Sequence, residues 1–386
     1  IRGNRNGEPF AAEMYQGGEQ PYFTLRWQED EGELHIRIIP KDFDDYGNPV
    51  GELTLESVSM TFPWSCRGGR KPEQIFMNGY QSWTDSHEHT ILEKEPAISP
   101  LASGMVEKYY LDRYGDVNFT MKPKGTGQFH GFTYCYFRDG ERYRFLGSLS
   151  ERAGFTVFYY NGGAQQMTIE KDCSGLRISE EWNAFDLVEL SGTEDQVFDL
   201  YFEKMQINKP AGSPMTGYTS WYNHYQNISE QIIMENLEHV HEMGQNFDVF
   251  QIDDGYQTYV GDWLDVNRDK FPDGLEPVVD QIHTYGMKAG LWLSPFVCEK
   301  NSRCYQEHGD WLVRDENGHP VCGGSNWSTF YALNTELPQV REYLKEVFHQ
   351  VLDVWGFDLV KLDFLYGACM QPTPYKTRGQ LMCEAM

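Results

Sequence analysis

The hydrophobic pattern of this 386-residue chain changes near residue 209, and that change limits the folds available to it. Up to about residue 205, strand-like segments with alternating or aromatic-rich patterns follow one another, among them ELHIRII, LTLESVSMTF and GFTVFYY. Asp139 and Gly140 separate two such segments and predict a β-hairpin turn. We therefore expect residues 1–208 to form a large antiparallel β-sandwich domain.

A second pattern begins after a Pro/Gly/Ser-rich linker, KPAGSPM at residues 209–215, where strand-like and helical segments alternate. Helical periodicity predicts helices at about residues 229–243, 275–285 and 338–355, each followed by a glycine and then a strand-like segment. Such alternation with short turns predicts a parallel sheet. Four β/α units are visible, so the chain is interpreted as a multidomain β and α/β protein in which residues 209–386 form the N-terminal half of a (β/α)8 TIM-type barrel.

One strand-like segment, DLVKLDFLYG at residues 358–367, places Lys361 and Asp363 among apolar residues. The apolar pattern predicts a parallel strand that is covered on both faces, where an unpaired charge is costly. Residues two apart on a strand lie on the same face, so Lys361 and Asp363 are expected to be neighbours. This is the arrangement expected of a carboxylate nucleophile kept ionised by a nearby cation, and a purely structural ion pair is the alternative.

Further polar and indole groups occur late in the other strand-like segments: Trp221, Asp253, Asp254 and Trp292. The carboxyl ends of barrel strands carry the catalytic residues, and carboxylates form strong charge-assisted hydrogen bonds with sugar hydroxyls. We therefore predict that the aspartates bind a sugar and that the tryptophans wall its pocket. The alternatives are an ordinary Asp-Asp-Gly turn, core tryptophans, and a metal site that includes Asp363. The metal site is less favoured, since magnesium sites usually take one or two carboxylates plus phosphate.

Charge and composition narrow the class of ligand. The chain has 58 acidic and 32 basic side chains and a formal net charge of -26, which disfavours nucleic acid and anionic membrane surfaces as partners. Aromatic residues make up 15% of the chain, and aromatic rings pack well on the C–H faces of carbohydrates. No apolar segment approaches the roughly 18 residues that predict a membrane-spanning helix.

The eight cysteines are scattered, with no C-x-x-C pair and no Cys/His cluster at zinc-finger spacing. This distribution predicts reduced thiols in a cytoplasmic protein and no metal site. Three Asn-x-Ser/Thr triplets, at Asn118, Asn227 and Asn326, are the alternative indication of a secreted glycoprotein, although such triplets often occur by chance.

The segments TSWYNHY, QIDDGYQ, GLWLSPF, YQEHGDWLV and VKLDFLYG, in this order, resemble the α-galactosidases of glycoside hydrolase family 36, in the clan shared with family 27. NGYQSW, residues 78–83, is similar to a segment of that family's β-sandwich. The resemblance implies a β-sandwich, a (β/α)8 barrel and a small C-terminal β-domain. It also implies a retaining, cofactor-independent hydrolase that often assembles as a tetramer.

By the same resemblance, Asp363 attacks the anomeric carbon of the sugar. Lys361, Asp253 and Asp254 hold the galactose hydroxyls, and Trp292 and Trp221 line the pocket. The predicted function is therefore an exo-α-galactosidase that releases terminal galactose from oligosaccharides or galactosides. An α-N-acetylgalactosaminidase of the same family, and a carbohydrate-binding protein without turnover, are the alternatives.

Two departures from the family pattern qualify this prediction. Ser325, in GGSNWSTF, stands where the family has a sugar-binding arginine, so the exact sugar preference stays open. The family's acid/base aspartate follows a sixth strand, which this sequence does not reach. A retaining glycosidase needs two carboxyl groups about 5–5.5 Å apart. We therefore expect the natural polypeptide to be longer, with RGQLMCEAM as the start of a fourth helix.

Overall fold

The computed structural model describes residues 1–67, 72–81, 83–96, 102–210, 212–244 and 246–386. Ala211 of the predicted linker and Ser82 of NGYQSW lie outside these residues. The chain divides into two compact units: unit 1 contains Ile1–Lys209, Gln371–Glu384 and Met386, and unit 2 contains Pro210–Met370 and Ala385. The sequence interpretation grouped everything from 209 to 386 together, so the structure differs in where it places Gln371–Glu384.

The strands in chain order are β1 (Arg2–Arg5), β2 (Glu8–Ala11), β3 (Gly18–Glu19), β4 (Phe23–Asp30), β5 (Glu33–Pro40), β6 (Leu53–Pro63), β7 (Gln74–Met77), β8 (Glu88–His89), β9 (Gln128–Phe132), β10 (Tyr134–Asp139), β11 (Arg142–Ser148), β12 (Thr156–Asn161), β13 (Gln166–Lys171), β14 (Arg177–Ile178), β15 (Trp182–Gly192), β16 (Gly217–Thr219), β17 (Val249–Ile252), β18 (Lys288–Leu293), β19 (Val297–Glu299), β20 (Cys322–Gly324), β21 (Phe330–Ala332) and β22 (Leu359–Leu362). The α-helices are α1 (Ser103–Tyr109), α2 (Glu194–Lys204), α3 (Trp221–His224), α4 (Glu230–Glu242), α5 (Glu276–Thr284), α6 (Arg303–Glu307), α7 (Pro338–His349) and α8 (Arg378–Ala385).

The described residues of unit 1 form two antiparallel sheets. The seven-stranded sheet has the order β2-β1-β6-β13-β12-β9, with β14 also paired to β6, and the eight-stranded sheet has the order β3-β4-β5-β15-β11-β10-β7-β8. One hydrophobic cluster draws buried side chains from both, such as Ile36 and Phe137 from one sheet and Leu55 and Phe158 from the other. The antiparallel sheets predicted for this half are present, and their alternating inward residues form its core.

The predicted hairpin joins β10 to β11, and Asp139 pairs with Arg142 at its end. Gly140 adopts a φ of 60°, in the left-handed region that glycine reaches at little cost. Turn chemistry read from two residues therefore located this strand pair.

A buried ionic cluster lies beside the NGYQSW segment of unit 1. His130 Nδ1 lies 2.7 Å from both carboxylate oxygens of Glu95, and its Nε2 lies 3.0 Å from Asp116 Oδ2. The backbone N–H groups of Tyr80 and Gln81 donate to the Asp116 carboxylate at 3.0–3.1 Å. One imidazole thus connects two buried carboxylates to the backbone of this segment.

Helix α8 packs within unit 1 through its first turn. Arg378 donates to both carboxylate oxygens of Asp172, at 2.7 and 2.8 Å, and Thr377 forms a capping box with Gln380. A helix is present in RGQLMCEAM as predicted, but all of it except Ala385 belongs to unit 1 rather than to the unit that contains the parallel sheet.

Unit 2 is built on a four-stranded parallel sheet with the order β16-β17-β18-β22. Helix α4 begins after Ser229, whose side chain accepts a hydrogen bond from the Ile232 N–H, and it buries Ile233, Leu237 and Val240 as its periodicity predicts. A separate antiparallel sheet, β19-β21-β20, lies within the segment between β18 and β22. The predicted β and α/β organisation is therefore present.

The prediction that β22 is covered on both faces is wrong, because all four of its residues are partly exposed. Within the described residues β22 pairs only with β18, so it is an edge strand of this sheet. None of the described helices combines the length and apolar character needed to cross a membrane.

Candidate active site

The register of the parallel sheet brings the predicted polar residues to one edge. Trp292 on β18 pairs directly with Lys361 on β22, and Ile252 on β17 pairs with Leu291 on β18. Asp253 is the first residue after β17, and Asp363 is the first after β22. Because neighbouring parallel strands end at the same edge, residues from distant parts of the sequence meet there.

Lys361 forms its ion pair with Asp253 rather than with Asp363. Lys361 Nζ lies 2.8 Å from Asp253 Oδ2, and the side chains are 40% and 2% exposed, respectively. The expectation that Lys361 is the counter-ion of Asp363 is therefore wrong. Side chains two residues apart on a strand lie about 6.6 Å apart along it. The partner of Lys361 comes instead from the end of β17, two strands away in the sheet.

Several further donors hold the Asp253 carboxylate. Gln251 Nε2 donates to Oδ2 at 3.0 Å, Thr219 Oγ1 donates at 3.4 Å, and the Asp254 N–H donates to Oδ1 at 2.9 Å. A buried ionised carboxylate needs such donors, since it can only accept hydrogen bonds. Asp253 is therefore fixed in position by β16, β17 and β22 together.

Asp254 is also buried but has its own set of donors. Gln226 Nε2 and Trp327 Nε1 donate to Oδ2 at 2.7 and 2.8 Å, and Gln257 Nε2 donates to Oδ1 at 2.6 Å. Burial raises the pKa of Asp254, the charge of Asp253 adds to this effect, and the three hydrogen bonds offset it only in part.

Asp363 is partly exposed at the end of β22. Trp292 Nε1 donates to Oδ2 at 3.1 Å, and the Phe364 N–H donates to Oδ1 at 2.9 Å. Phe364 has a φ of 51° and a ψ of 33°, a left-handed conformation that costs a non-glycine residue roughly 1–2 kcal/mol. Strain of this kind is typical of functional sites, where the surrounding structure fixes a side chain in one orientation.

The two predicted wall tryptophans have different surroundings. Trp292 is buried, donates to Asp363, and contacts the rings of Trp263 and Trp327. Trp221 does not lie in a strand, because β16 ends at Thr219 and Trp221 begins α3. Its ring packs edge-on against Tyr225 with 5.2 Å between the ring centroids.

Sequence reasoning missed the three side chains that bind Asp254. Gln226 directly follows TSWYNHY and Gln257 is the last residue of QIDDGYQ, but neither amide carries a pattern that predicts a contact with Asp254. Trp327 lies in GGSNWSTF, two residues after the position considered for an arginine, and has a φ of 56°. Only the path of the loop between β20 and β21 directs its indole toward Asp254.

A cavity of about 230 Å³ borders Asp254. Its polar lining includes Gln226, Gln257, Lys270 and Glu299. Lys270 Nζ donates to the backbone oxygens of Gln226 and Gly255 at 2.8 and 2.9 Å, so its ammonium group is already bound to the protein. The cavity is thus a polar space next to Asp254.

Comparisons with known proteins identify relatives of this chain. Residues 209–376 match the Melibiase family. The chain is a relative of the family 36 α-galactosidases. The Melibiase match contains every candidate residue at the sheet edge, from Trp221 to Asp363.

Among curated relatives, Alpha-galactosidase 2 of Pediococcus pentosaceus is 35% identical over 101 residues, covering 24% of this chain and 14% of that protein. The A type blood alpha-D-galactosamine galactosaminidase of Flavonifractor plautii is 34% identical over 131 residues, covering 31% of this chain and 12% of that protein. The matches thus span less than two thirds of the length of either relative.

Among solved structures, the α-galactosidase TtGalA of Thermus thermophilus, in complex with p-nitrophenyl α-D-galactopyranoside, matches with a TM-score of 0.66 and 25% identity. The match covers 100% of this chain and 67% of TtGalA. The likeness therefore extends over both units of the chain.

Proposed function

We propose that this chain provides the sugar-binding edge and the nucleophile of a retaining exo-α-galactosidase. The observation that carries the proposal is the Asp363 carboxylate, which is partly exposed and oriented by Trp292 Nε1 at 3.1 Å and the Phe364 N–H at 2.9 Å. A nucleophile needs an accessible oxygen in a fixed direction, and two directed donors provide that direction.

In the proposed reaction, an Asp363 oxygen attacks the anomeric carbon and the bond to the leaving oxygen breaks, giving a covalent glycosyl-enzyme. Water then releases the sugar. A second carboxyl group about 5–5.5 Å away protonates the leaving oxygen and later activates the water, and the family resemblance assigns that role to an aspartate after a sixth strand. The reaction uses no cofactor.

Lys361 is the first of the proposed sugar-binding residues. Its ammonium group has three N–H donors and directs one to Asp253, so two are left for sugar hydroxyls. A carboxylate accepts about four hydrogen bonds, and Asp254 accepts three from side chains, which leaves about one for a hydroxyl. Trp292 and Trp221 supply apolar rings on which the sugar packs.

Labelling with an activated 2-fluoro-galactoside tests the nucleophile directly, because a good leaving group departs without acid catalysis. We expect one fluorogalactosyl group per chain, located on Asp363 by peptide mass spectrometry, and no label in D363N. The matched control is D358N, at the opposite end of β22, which should label like the parent. Labelling at another residue, or persistence in D363N, would contradict the assignment.

A second candidate is an α-N-acetylgalactosaminidase, favoured by the galactosaminidase of Flavonifractor plautii among the relatives. The two sugars differ at C2, so the matching labelling reagent or nitrophenyl glycoside of each sugar distinguishes them. If the chain binds galactose but neither reagent labels Asp363, it is instead a carbohydrate-binding protein without turnover.

We also propose a domain architecture, a cellular location and an oligomeric state for the protein. The four parallel strands would form the first half of a (β/α)8 barrel, after a β-sandwich domain, with the boundary predicted between residues 208 and 209 and with Gln371–Glu384 assigned to unit 1. None of the eight cysteines forms a disulfide, which supports a reducing, cytoplasmic location. Assembly into a tetramer, expected from the resemblance, can be measured by light scattering after size-exclusion chromatography.

A further inference from the structure

The connection between β7 and β9 in unit 1 brings two histidines and one glutamate together. His89 lies on the short strand β8, His87 lies two residues before it, and Glu93 follows the turn at Thr90. His87 Nε2 lies 3.8 Å from Glu93 Oε2, and His89 Nδ1 lies 3.4 Å from the same oxygen. These side chains belong to neither the candidate active site nor the ionic cluster around His130.

The imidazole Nδ1 of His89 is buried and lies beside the carboxylate of Glu93. Its side chain is 5% exposed and its ring stacks on Phe129, with 4.7 Å between the ring centroids. Its Nδ1 makes no hydrogen bond of normal geometry, and Glu93 Oε2 is its charged neighbour at 3.4 Å. A buried polar atom without a partner costs roughly 1–3 kcal/mol, so a ligand at this nitrogen would remove a penalty.

The other two side chains each keep one atom directed at the same point. Asp85 Oδ1 lies 2.9 Å from His87 Nδ1, which places the ring proton on Nδ1 and the lone pair on Nε2. Glu93 Oε1 accepts hydrogen bonds from the Thr90 N–H and Oγ1 at 3.2 and 2.8 Å, which leaves Oε2 available. The outer contacts therefore orient both groups, as they do around metal ions in proteins.

The distances between these atoms fit a small metal ion. One ligand atom each from His87, His89 and Glu93 lies within 4.8 Å of the others. Two ligands at about 2.0–2.1 Å from zinc in tetrahedral geometry stand roughly 3.3 Å apart, so the ligands need to move by less than about 1.5 Å. His87 and Glu93 are both about half exposed, so an ion can enter from solvent.

We propose that His87 Nε2, His89 Nδ1 and Glu93 Oε2 form a binding site for a divalent transition-metal ion, most simply Zn²⁺. Two imidazole nitrogens and one carboxylate oxygen are a ligand set that zinc accepts, with water in the fourth position. A bound ion would fix the β7–β9 connection and give His89 Nδ1 its partner.

The sequence predicted no metal site, because these ligands are not cysteines and histidines at zinc-finger spacing. Here the ligands follow the pattern His-x-His-x-x-x-Glu, in which each residue is common on protein surfaces. The turn from Thr90 to Glu93 is what returns the carboxylate to the histidines.

The test is zinc binding to the 386-residue chain, measured by isothermal titration and by competition with a chromophoric zinc indicator. We expect one zinc per chain, and visible absorption bands of tetrahedral cobalt when Co²⁺ replaces zinc. H87A and E93Q should each weaken binding at least tenfold, and D85N should weaken it by about 10–100-fold. These three positions are all substantially exposed, so the variants should keep the parent circular dichroism spectrum.

The matched control is H349A. His349 is an exposed histidine whose Nδ1 lies 2.8 Å from Asp353, so it has the histidine–carboxylate contact without the second histidine. It should bind zinc like the parent. The proposal is overturned if the parent binds no zinc, if H87A and E93Q bind as tightly as the parent, or if H349A loses binding to the same extent.

Discussion

Replacing His130 by glutamine should destabilise unit 1 and loosen the NGYQSW segment. The imidazole lies between Glu95 at 2.7 Å and Asp116 at 3.0 Å, and all three side chains are buried. Glutamine keeps a donor but carries no charge, so it leaves two buried carboxylates without a cation. Breaking a buried ion pair typically costs about 3–5 kcal/mol, and we expect a loss in that range near neutral pH.

The pH dependence of this loss follows from the pKa of His130. Burial alone would lower it, but the hydrogen bonds to Asp116 and Glu95 outweigh burial, so the pKa of His130 lies above its ordinary value. Because the pKa of His130 is raised on folding, its stabilisation of the folded state is complete below about pH 6.5, the ordinary pKa of histidine. It then falls by about 1.4 kcal/mol per pH unit as the pH rises toward the folded-state value. The difference between parent and H130Q should therefore shrink in alkaline solution.

At the acid end, the pKa of Asp116 works in the opposite direction. Its burial would raise the pKa, but His130 and the Tyr80 N–H hold it below the ordinary value. Its contribution is present above about pH 3.8 and is lost as the pH falls through the folded-state value. The advantage of the parent should thus be greatest between roughly pH 4 and 6.5.

Amide hydrogen exchange at Tyr80 and Gln81 is the direct assay, because both amides donate to Asp116. After correction for intrinsic rates, a loss of 3–5 kcal/mol corresponds to roughly a 150- to 5,000-fold drop in protection where exchange follows global opening. Urea unfolding between pH 5 and 9 gives the matching stability curve. H349Q, at an exposed histidine, is the control. Equal protection in H130Q and parent, or a difference independent of pH, would refute the reasoning.

Two further substitutions test the candidate active site. K361M should lower the free energy of unfolding by about 1.5–3 kcal/mol. The loss should lie near the lower bound, because the Lys361 side chain is 40% exposed. K361M should also abolish galactose binding, measured by calorimetry. K345M, at an exposed lysine of α7, should change neither, and retained galactose binding in K361M would exclude Lys361 as a sugar ligand. W327F keeps the ring contacts with Phe330 and Phe364 but removes the 2.8 Å hydrogen bond to Asp254, so the pKa of Asp254 should rise further. Because the lost hydrogen bond stabilises the ionised form of Asp254, W327F should be about 1.5–3 kcal/mol less stable than the parent at pH 7. This difference should shrink toward pH 4, as Asp254 becomes protonated in both proteins. A difference that grows in acid would contradict the reasoning.

Local features of the sequence predicted the secondary structure well. Ser229 and the spacing of Ile233, Leu237 and Val240 located α4, and Asp139-Gly140 located the turn between β10 and β11. Each prediction depends on residues within a few positions of each other. Neighbours along the chain determine caps, turns and periodicity, so the sequence shows them directly.

The candidate site was predicted only as a set of residue types at strand ends. Asp253, Trp292, Lys361 and Asp363 do meet at one edge of the sheet, because parallel strands carry their final residues to the same side. The pairing of Lys361 with Asp253 could not be predicted, since these residues are 108 positions apart and belong to strands separated by β18.

The sequence by itself therefore determined the strands and helices that caps, turns and periodicity mark, and it placed Asp253, Trp292, Lys361 and Asp363 at the carboxyl edge of the sheet. Tertiary structure alone decided which charges pair, why Trp327 faces Asp254, that Gln371–Glu384 belongs with unit 1, and that Glu93 returns to His87 and His89. The physical reason is the distance along the chain over which each kind of interaction acts. Backbone preferences act over a few residues, whereas strand pairing and loop paths bring together groups whose separation along the chain carries no signal of their contact.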